Sequence, residues 1–233
     1  MSSLIIDKID LHYGASQALR KVSLAAKTAQ ITAVLGRNGV GKSSLLRAIA
    51  GVEPLSGGDI ALDGQTLMKA PPYVRARMGL GYVPQGREIF PLLSVRENLQ
   101  TGFAMLKPSQ RIIPPTVFTL FPVLEQMLSR RGGDLSGGQQ QQLAIGRALV
   151  MRPSVLILDE PTEGIQPSII KDIGRALRYL RDEQGMTILI VEQYLDFCRE
   201  LADHVYLMDR GEIVHSGPAS DLDRPEVRKH LMV

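Results

Sequence analysis

The sequence has one cysteine and no long apolar run, and each of these features limits the classes of protein to which it can belong. The one cysteine, Cys198, cannot form an internal disulfide, which fits a reducing compartment. No apolar run approaches the ~18 residues of a membrane-spanning helix. A strand-like pattern begins directly after Met1, Ser2 and Ser3, so we expect neither a signal peptide nor a transmembrane segment.

The sequence also lacks a large excess of charge of either sign. The 233 residues carry a formal net charge of +3, with 44% hydrophobic and 22% charged residues. This excess is too small to indicate a nucleic-acid partner, and the interspersed charges are typical of a solvated surface. The length and composition predict one large globular domain with its own core.

A glycine-rich segment, residues 36–43, fits the pattern G-x-x-x-x-G-K-[ST], and we call it the phosphate loop. An apolar strand at residues 31–35 precedes it, and a helix at residues 44–50 follows. Its glycines let backbone N–H groups surround phosphate oxygens, while Lys42 reaches the β- and γ-phosphates and Ser43 ligates Mg²⁺. A glycine-rich turn without a ligand is the alternative. The nucleotide-binding residues predicted here are Gly36, Arg37, Asn38, Gly39, Val40, Gly41, Lys42, Ser43 and Ser44.

Two carboxylates follow a second apolar strand. The strand at residues 155–158 leads directly into Asp159 and Glu160, which places them at the carboxyl edge of the sheet. There Asp159 can share a Mg²⁺ with Ser43, and Glu160 can polarise the attacking water as a general base. The alternatives are a helix cap and an acidic surface turn.

Two further side chains extend the predicted site. Gln85 follows a short strand, and its neutral amide can touch both a metal-bound water and the nucleophile. Tyr13 can stack on adenine. Taken alone, Gln85 reads as a polar loop residue and Tyr13 as an aromatic residue at a strand end.

A second anion-binding pattern occupies residues 135–139, Leu-Ser-Gly-Gly-Gln, which we call the signature segment. A glycine pair at the start of a helix offers converging backbone N–H groups and a favourable helix dipole. Because the phosphate loop already forms a complete cradle, two such elements suggest a site built from two copies of the fold. The residues predicted to bind nucleotide here are Ser136, Gly137, Gly138 and Gln139.

Three regions follow one another along the chain. Residues 4 to about 68 are rich in strand patterns, with a hairpin at Asp63 and Gly64, and residues from about 86 to 150 are mostly helical, with Ser94 as a cap. From Val155 onward strands and helices alternate, which predicts a parallel α/β sheet. We expect a single domain over residues 1–233, with a core at about 1–85 and 151–233 that includes an antiparallel β part, and a helical subdomain at about 86–150.

In their order and spacing, the phosphate loop, Gln85, the signature segment and the acidic pair resemble the ATP-binding subunits of ABC transporters. The resemblance covers essentially the whole chain. It implies an α/β P-loop NTPase fold with a RecA-like core, an antiparallel β subdomain and a helical subdomain. It also implies an ATPase that uses ATP and Mg²⁺ and closes head-to-tail on a second ATPase subunit, a paralogue or itself. Ser136 and Gly138 would then contact the γ-phosphate bound by the partner.

The same resemblance implies partners and a location. An importer subunit of this kind works with integral membrane permease subunits and, indirectly, with a periplasmic solute-binding protein. It lies in the cytoplasm, peripheral on the inner face of the cell membrane. The residues implied to flank the coupling helix of the permease are Gln85, Arg87, Glu88, Ile89, Phe90 and residues 130–134.

Three segments resemble the second ATPase subunit of urea-type importers more specifically. They are residues 86–91, 137–142 and 160–168. The resemblance implies urea or short amides as the solute, with branched-chain amino acids as the alternative.

The sequence departs from the ABC pattern at two positions. Gln193 stands where many members have a histidine, so it can hydrogen-bond a γ-phosphate as a catalytic residue but carries no charge. Gln166 replaces an aspartate in the loop after Glu160.

Two other classes of protein compete with a transporter subunit. A soluble ABC ATPase acting on DNA or ribosomes is disfavoured because the chain has one cassette and no sustained heptads between Lys42 and Asp159. A small-molecule kinase would leave the signature segment unexplained.

Overall fold

The computed structural model describes residues 3–229. Its strands are β1 (Leu4–Tyr13), β2 (Ser16–Ala26), β3 (Ile31–Leu35), β4 (Gly57–Leu62), β5 (Gln65–Thr66), β6 (Leu80–Val83), β7 (Val155–Asp159), β8 (Thr187–Glu192), β9 (His204–Asp209) and β10 (Glu212–Pro218). Its α-helices are α1 (Lys42–Ala50), α2 (Pro72–Arg77), α3 (Val95–Gln100), α4 (Pro115–Leu120), α5 (Pro122–Gln126), α6 (Gly137–Val150), α7 (Pro167–Asp182), α8 (Leu195–Leu201) and α9 (Pro225–Arg228). Within residues 3–229, no helix has the length and hydropathy needed to cross a bilayer.

Six strands form the central sheet in the order β10-β9-β3-β8-β7-β6. All pairs are parallel except β9 with β10, which form an antiparallel hairpin. The predicted alternation of strands and helices after Val155 is confirmed. All five residues of β7 are buried, because both faces of the sheet are covered. Val155 and Ile157 pack into one core, whereas Leu156 and Leu158 pack into the other.

A second sheet covers one face of the first. It is antiparallel, in the order β2-β1-β4-β5, and includes the predicted hairpin between β4 and β5. Helix α1 packs between the two sheets, and its Leu45, Leu46 and Ile49 are fully buried there. The opposite face of the central sheet is covered by helices that include α6, α7 and α8. Burial of α1 on both sides fixes the position of the phosphate loop at its start.

The segment between β6 and β7 contains helices and 3-10 turns. Ser94 caps α3 as predicted, accepting a hydrogen bond from the Glu97 N–H while the Glu97 carboxylate accepts one from the Ser94 N–H. Phe121 and Leu124 are fully buried in the core that contains α6. The division of this segment into a separate subdomain stays a prediction.

Candidate functional site

Four strands of the central sheet end beside one cleft. The phosphate loop follows β3, Asp159 ends β7, Glu192 ends β8, and Gln85 comes two residues after β6. Because these strands are parallel, their carboxyl ends meet at one edge, as expected for a ligand site in an open α/β sheet. The cleft has a volume of about 580 Å³ and is lined by Tyr13, Ser16, Gln17, Ala18, Arg20, Asn38, Gly39, Val40, Gly41, Lys42, Ser43, Ser44, Gln85, Glu160, Arg210 and Gly211.

The phosphate loop turns sharply into α1 at Gly41. This residue has φ of 109°, and a Cβ there would lie 2.8 Å from the Ala18 carbonyl oxygen. Only glycine fits this backbone and this close contact. No side chain caps the start of α1, so its first N–H groups remain available to an anion in the cleft.

The Lys42 ammonium is buried and surrounded by oxygen. Its Nζ donates to the carbonyls of Gly36 (2.9 Å) and Arg37 (3.0 Å) and lies 3.1 Å from Glu160 Oε1. Gly36 and Arg37 themselves do not line the cleft, so of these two residues the structure brings only the carbonyls to the site. The predicted cation and the predicted general base therefore touch.

Glu160 is held by three of the predicted residues. Besides Lys42, the Gln193 amide donates to its Oε1 at 2.7 Å, and the Gln85 amide donates to its Oε2 at 3.4 Å. Glu160 itself is 8% exposed and has the left-handed φ of 46°, an uncommon conformation for a residue with a Cβ. A carboxylate in strained backbone at the base of a polar cleft is the arrangement expected of a functional group.

Ser43, Gln85 and Asp159 are the residues predicted at the metal site, and Ser43 and Asp159 lie together. The Ser43 hydroxyl donates to Asp159 Oδ1 at 3.1 Å. Burial raises the pKa of Asp159 to about 6, opposed by the Ser43 hydrogen bond and reinforced by the neighbouring Glu160 charge. Two oxygens at this separation fit adjacent positions around Mg²⁺, whose ligands lie about 2.0–2.1 Å from the ion. Across residues 3–229 no group of three or more His, Cys, Asp or Glu side chains is arranged to hold a metal ion.

Tyr13 lies on the cleft wall at the end of β1. Its side chain is 43% exposed, and its hydroxyl donates to Ser44 Oγ at 3.4 Å. The ring is therefore beside the phosphate loop and open to a ligand. Stacking on adenine stays a prediction.

The signature segment lies elsewhere on the chain's surface. Ser136 is exposed and caps α6 in a box with Gln139, and neither residue lines the cleft, nor do Gly137 and Gly138. A Cβ on Gly138 would lie 3.0 Å from Ile169 of α7, so glycine permits close packing of these helices. The structure thus separates the two predicted anion-binding elements within one chain.

The loop after Gln85 is strained and pinned from α6. Gly86, Arg87 and Glu88 are consecutive left-handed residues, with φ of 77°, 70° and 45°. Arg147 of α6 donates to the carbonyls of Glu88 (2.7 Å) and Arg87 (3.3 Å) and lies over the Phe90 ring. Phe90 is 47% exposed, which leaves an apolar side chain available at the surface implied to face a permease.

Sequence reasoning missed several residues of this site. Arg20 and Arg210 line the cleft and are exposed, and neither forms an ion pair among the salt bridges of residues 3–229. Glu163 accepts a hydrogen bond from Gln85 at 3.1 Å, and Glu192 binds the loop that follows Glu160. No pattern in the sequence marks these residues, because Arg20 lies in β2 and Arg210 in the turn between β9 and β10, and they reach the cleft only through the pairing of distant segments.

Comparison with known proteins agrees with this geometry. A model of the family described as "ABC transporter" matches residues 19–163. The high-affinity branched-chain amino acid transport ATP-binding protein BraG of Pseudomonas aeruginosa is 40% identical over 227 residues, with 97% of each chain covered. The probable branched-chain amino acid transport ATP-binding protein LivF of Archaeoglobus fulgidus is 36% identical, with 92% of each chain covered.

Solved structures match over the whole chain. A nucleotide-free ATP-binding cassette from an ABC transporter superposes with a TM-score of 0.86 at 26% identity, covering 100% of both chains. The cassette MJ1267 gives a TM-score of 0.85 at 28% identity, again with 100% of both chains covered. The predicted cassette fold, with its parallel core, antiparallel sheet and helical segment, is confirmed.

Proposed function

This chain belongs to the ABC transporter family, and we propose that it is the ATP-hydrolysing subunit of a membrane importer that works as a pair of ATPase subunits. It is an ATPase with the cassette fold. The observation that carries the proposed mechanism is the contact between Lys42, Glu160 and Gln193 at the base of the cleft.

Glu160 is the proposed general base. When ATP enters the cleft, the phosphates compete for Lys42, because they offer it more negative charge than Glu160 does. The release of Lys42 leaves Glu160 Oε1 free to accept a hydrogen bond from the attacking water. Gln193 and Gln85 already donate to the two oxygens of this carboxylate, so they hold it in one orientation during the attack.

Ser43 and Asp159 are the proposed Mg²⁺ ligands, and Gln85, whose backbone N–H donates to Asp159, would contact a metal-bound water through its side-chain amide. A bound Mg²⁺ neutralises phosphate charge in the transition state. Its positive charge would also lower the pKa of Asp159 from about 6, so that this carboxylate is ionised at neutral pH.

The signature segment is proposed to act on a second subunit. Supporting this, Ser136 is exposed at the start of α6 and lies outside the cleft of its own chain. Ser136 and the backbone N–H groups of Gly137 and Gly138 would meet the γ-phosphate of the partner's ATP, as a helix start meets an anion. Two identical or paralogous cassettes would each complete the other's site.

A permease docks, in this proposal, against the loop that Arg147 pins. The exposed Phe90 and Leu92, which is 80% exposed, offer apolar contact there, and residues 130–134 lie on the adjacent turn. The proposed location is the cytoplasmic face of the membrane, with a periplasmic solute-binding protein on the far side of the permease.

For the solute we propose urea or short amides, supported by the resemblance of residues 86–91, 137–142 and 160–168. Branched-chain amino acids are the second candidate, supported by the names of the relatives at 40% and 36% identity. No residue of the cleft contacts a transported solute in this mechanism, so the assignment rests on sequence likeness. ATP hydrolysis by the reconstituted importer, with urea or leucine supplied on the binding-protein side, separates the two. Stimulation by leucine and not by urea would overturn the first assignment.

The catalytic proposal is tested by Glu160→Gln. We expect ATP affinity to stay within about threefold while hydrolysis falls at least ~100-fold, since the amide cannot take a proton. Glu183→Gln, the same change at an exposed position after α7, is the control and retains wild-type hydrolysis. Near-normal turnover by Glu160→Gln would refute the role of Glu160.

A further inference from the structure

Glu192 is a buried carboxylate beside the proposed catalytic group. It ends β8, is 2% exposed, and has no assigned part in binding or hydrolysis. An ionised side chain is costly to bury unless its oxygens are well hydrogen-bonded. The burial of the Glu192 carboxylate therefore requires a physical explanation.

Each oxygen of Glu192 accepts two hydrogen bonds, and the two pairs come from different loops. Oε1 accepts from the N–H (2.9 Å) and the hydroxyl (2.7 Å) of Thr162, in the loop after Glu160. Oε2 accepts from the N–H groups of Gln193 (2.9 Å) and Tyr194 (3.2 Å), which follow β8. Burial raises the pKa of Glu192, and these four hydrogen bonds oppose that shift.

Both loops carry a residue of the proposed catalytic contact. Thr162 is two residues beyond Glu160, within a turn closed by the Glu163 N–H on the Glu160 carbonyl. Gln193, whose backbone binds Oε2, places its side-chain amide 2.7 Å from Glu160 Oε1. Glu192 therefore connects the two loops through their backbones. The side chains of Glu160 and Gln193 form a second contact between the same two loops.

We propose that Glu192 is a positioning residue for ATP hydrolysis, which holds the Glu160 loop and the Gln193 segment in the register that lets Gln193 orient the Glu160 carboxylate. The inference rests on the proposed role of Glu160. The positioning role explains why an acidic residue stands at position 192, because four hydrogen-bond donors converge on its side chain. Only a carboxylate supplies acceptors on both sides without adding a donor of its own.

Glutamine is the informative replacement because it has the same shape. Its NH₂ group would face the donors of one loop, so at least one backbone N–H loses its acceptor. We expect Glu192→Gln to lower kcat at least ~10-fold, because small displacements of catalytic groups have large effects on rate. The KM for ATP should change less than about twofold, since Glu192 does not line the cleft and its carboxylate binds Thr162, Gln193 and Tyr194.

Thr162→Val is the milder variant of the same contact. It removes the hydroxyl donor but retains the N–H, so we expect a kcat loss of about two- to fivefold in a protein that folds normally. Glu183→Gln is the matched control, with the same change of side chain at an exposed site. Amide hydrogen exchange at Thr162, Gln193 and Tyr194, measured without nucleotide, should speed up in Glu192→Gln and stay unchanged in the control.

A double-mutant cycle with Gln193→Ala decides between positioning and general structural support. If Glu192 acts through Gln193, Glu192→Gln should cost less than about twofold in kcat once Gln193 is alanine. An equal kcat loss in both backgrounds, or a raised KM with unchanged kcat, overturns the inference. These outcomes leave the role of Glu160 untouched, because Glu160→Gln tests that role separately in the same assay.

Discussion

Arg75 offers the sharpest test of how the fold supports the phosphate loop. This side chain of α2 is 5% exposed, and its guanidinium donates four hydrogen bonds to backbone carbonyls. Two go to Ala48 (2.7 Å) and Ile49 (2.8 Å) in the last turn of α1, and the others go to Leu67 and Ala70, both at 2.8 Å. A cation at the carboxyl end of α1 also matches the helix dipole. Arg75 therefore connects the carboxyl end of α1 to the segment that follows β5.

The cost of Arg75→Met follows from the carbonyls that lose their donor. Ala48 and Leu67 each keep a second donor, the N–H of Gly51 and of Ala70. The remaining two carbonyls cost ~1–3 kcal/mol each when buried without a partner. Because methionine fills part of the same volume, we expect the free energy of unfolding to fall by about 4 kcal/mol in total.

Urea denaturation followed by circular dichroism measures this change. For a chain of this length, the loss corresponds to a Tm lowered by roughly 8–16 °C in calorimetry. Arg77→Met, on the same helix but exposed over the Tyr73 ring, is the control and should cost less than about 1 kcal/mol. Equal losses for the two variants would refute the claim that Arg75 anchors α1.

Two more outcomes are expected. Gly41→Ala should weaken ATP binding at least ~100-fold in a titration, because the methyl group would meet the Ala18 carbonyl at 2.8 Å and φ is 109°. Gly64→Ala, also at positive φ but with no atom near its Cβ, is the control, and a similar affinity loss there would contradict the steric argument. The Cys198 thiol is fully buried and its pKa is raised well above the usual range, mainly by burial, so a thiol reagent should label native protein at least ~100-fold more slowly than urea-unfolded protein. Rapid labelling of the native protein would show that this part of α8 opens readily.

The parts of the site predictable from sequence are those built from consecutive residues. The phosphate loop needs its glycines, lysine and serine in one short run, and the pair Asp159 and Glu160 follows its strand directly. The capping box at Ser94 is equally local. In each case backbone geometry depends on nearby residues, so a pattern in the chain is enough.

The parts that could not be predicted depend on register between distant segments. Glu192 meets Thr162 only because β7 and β8 pair with Asp159 opposite Val191. Arg75 of α2 reaches the end of α1, 27 residues earlier in the chain, and Arg210 reaches the cleft from the β9–β10 turn. Nothing in the composition around these residues marks such contacts, because the partners lie in segments far apart in the chain.

The central claim is that the signature segment of one subunit completes the cleft of another. Its most direct test mixes two inactive variants, Lys42→Ala with a defective phosphate loop and Ser136→Arg with a defective signature segment, in equal amounts. Random pairing gives one intact composite site in half of the dimers, so we expect about a quarter of the wild-type ATPase rate. Each variant alone should show almost none.

The conditions are those under which wild-type protein dimerises and hydrolyses ATP, with mixed dimers verified by two distinguishable tags. Recovery near the expected quarter supports a site shared between subunits. If mixed dimers form and the ATPase rate stays at the level of the separate variants, the two elements do not act together in trans and the account is wrong.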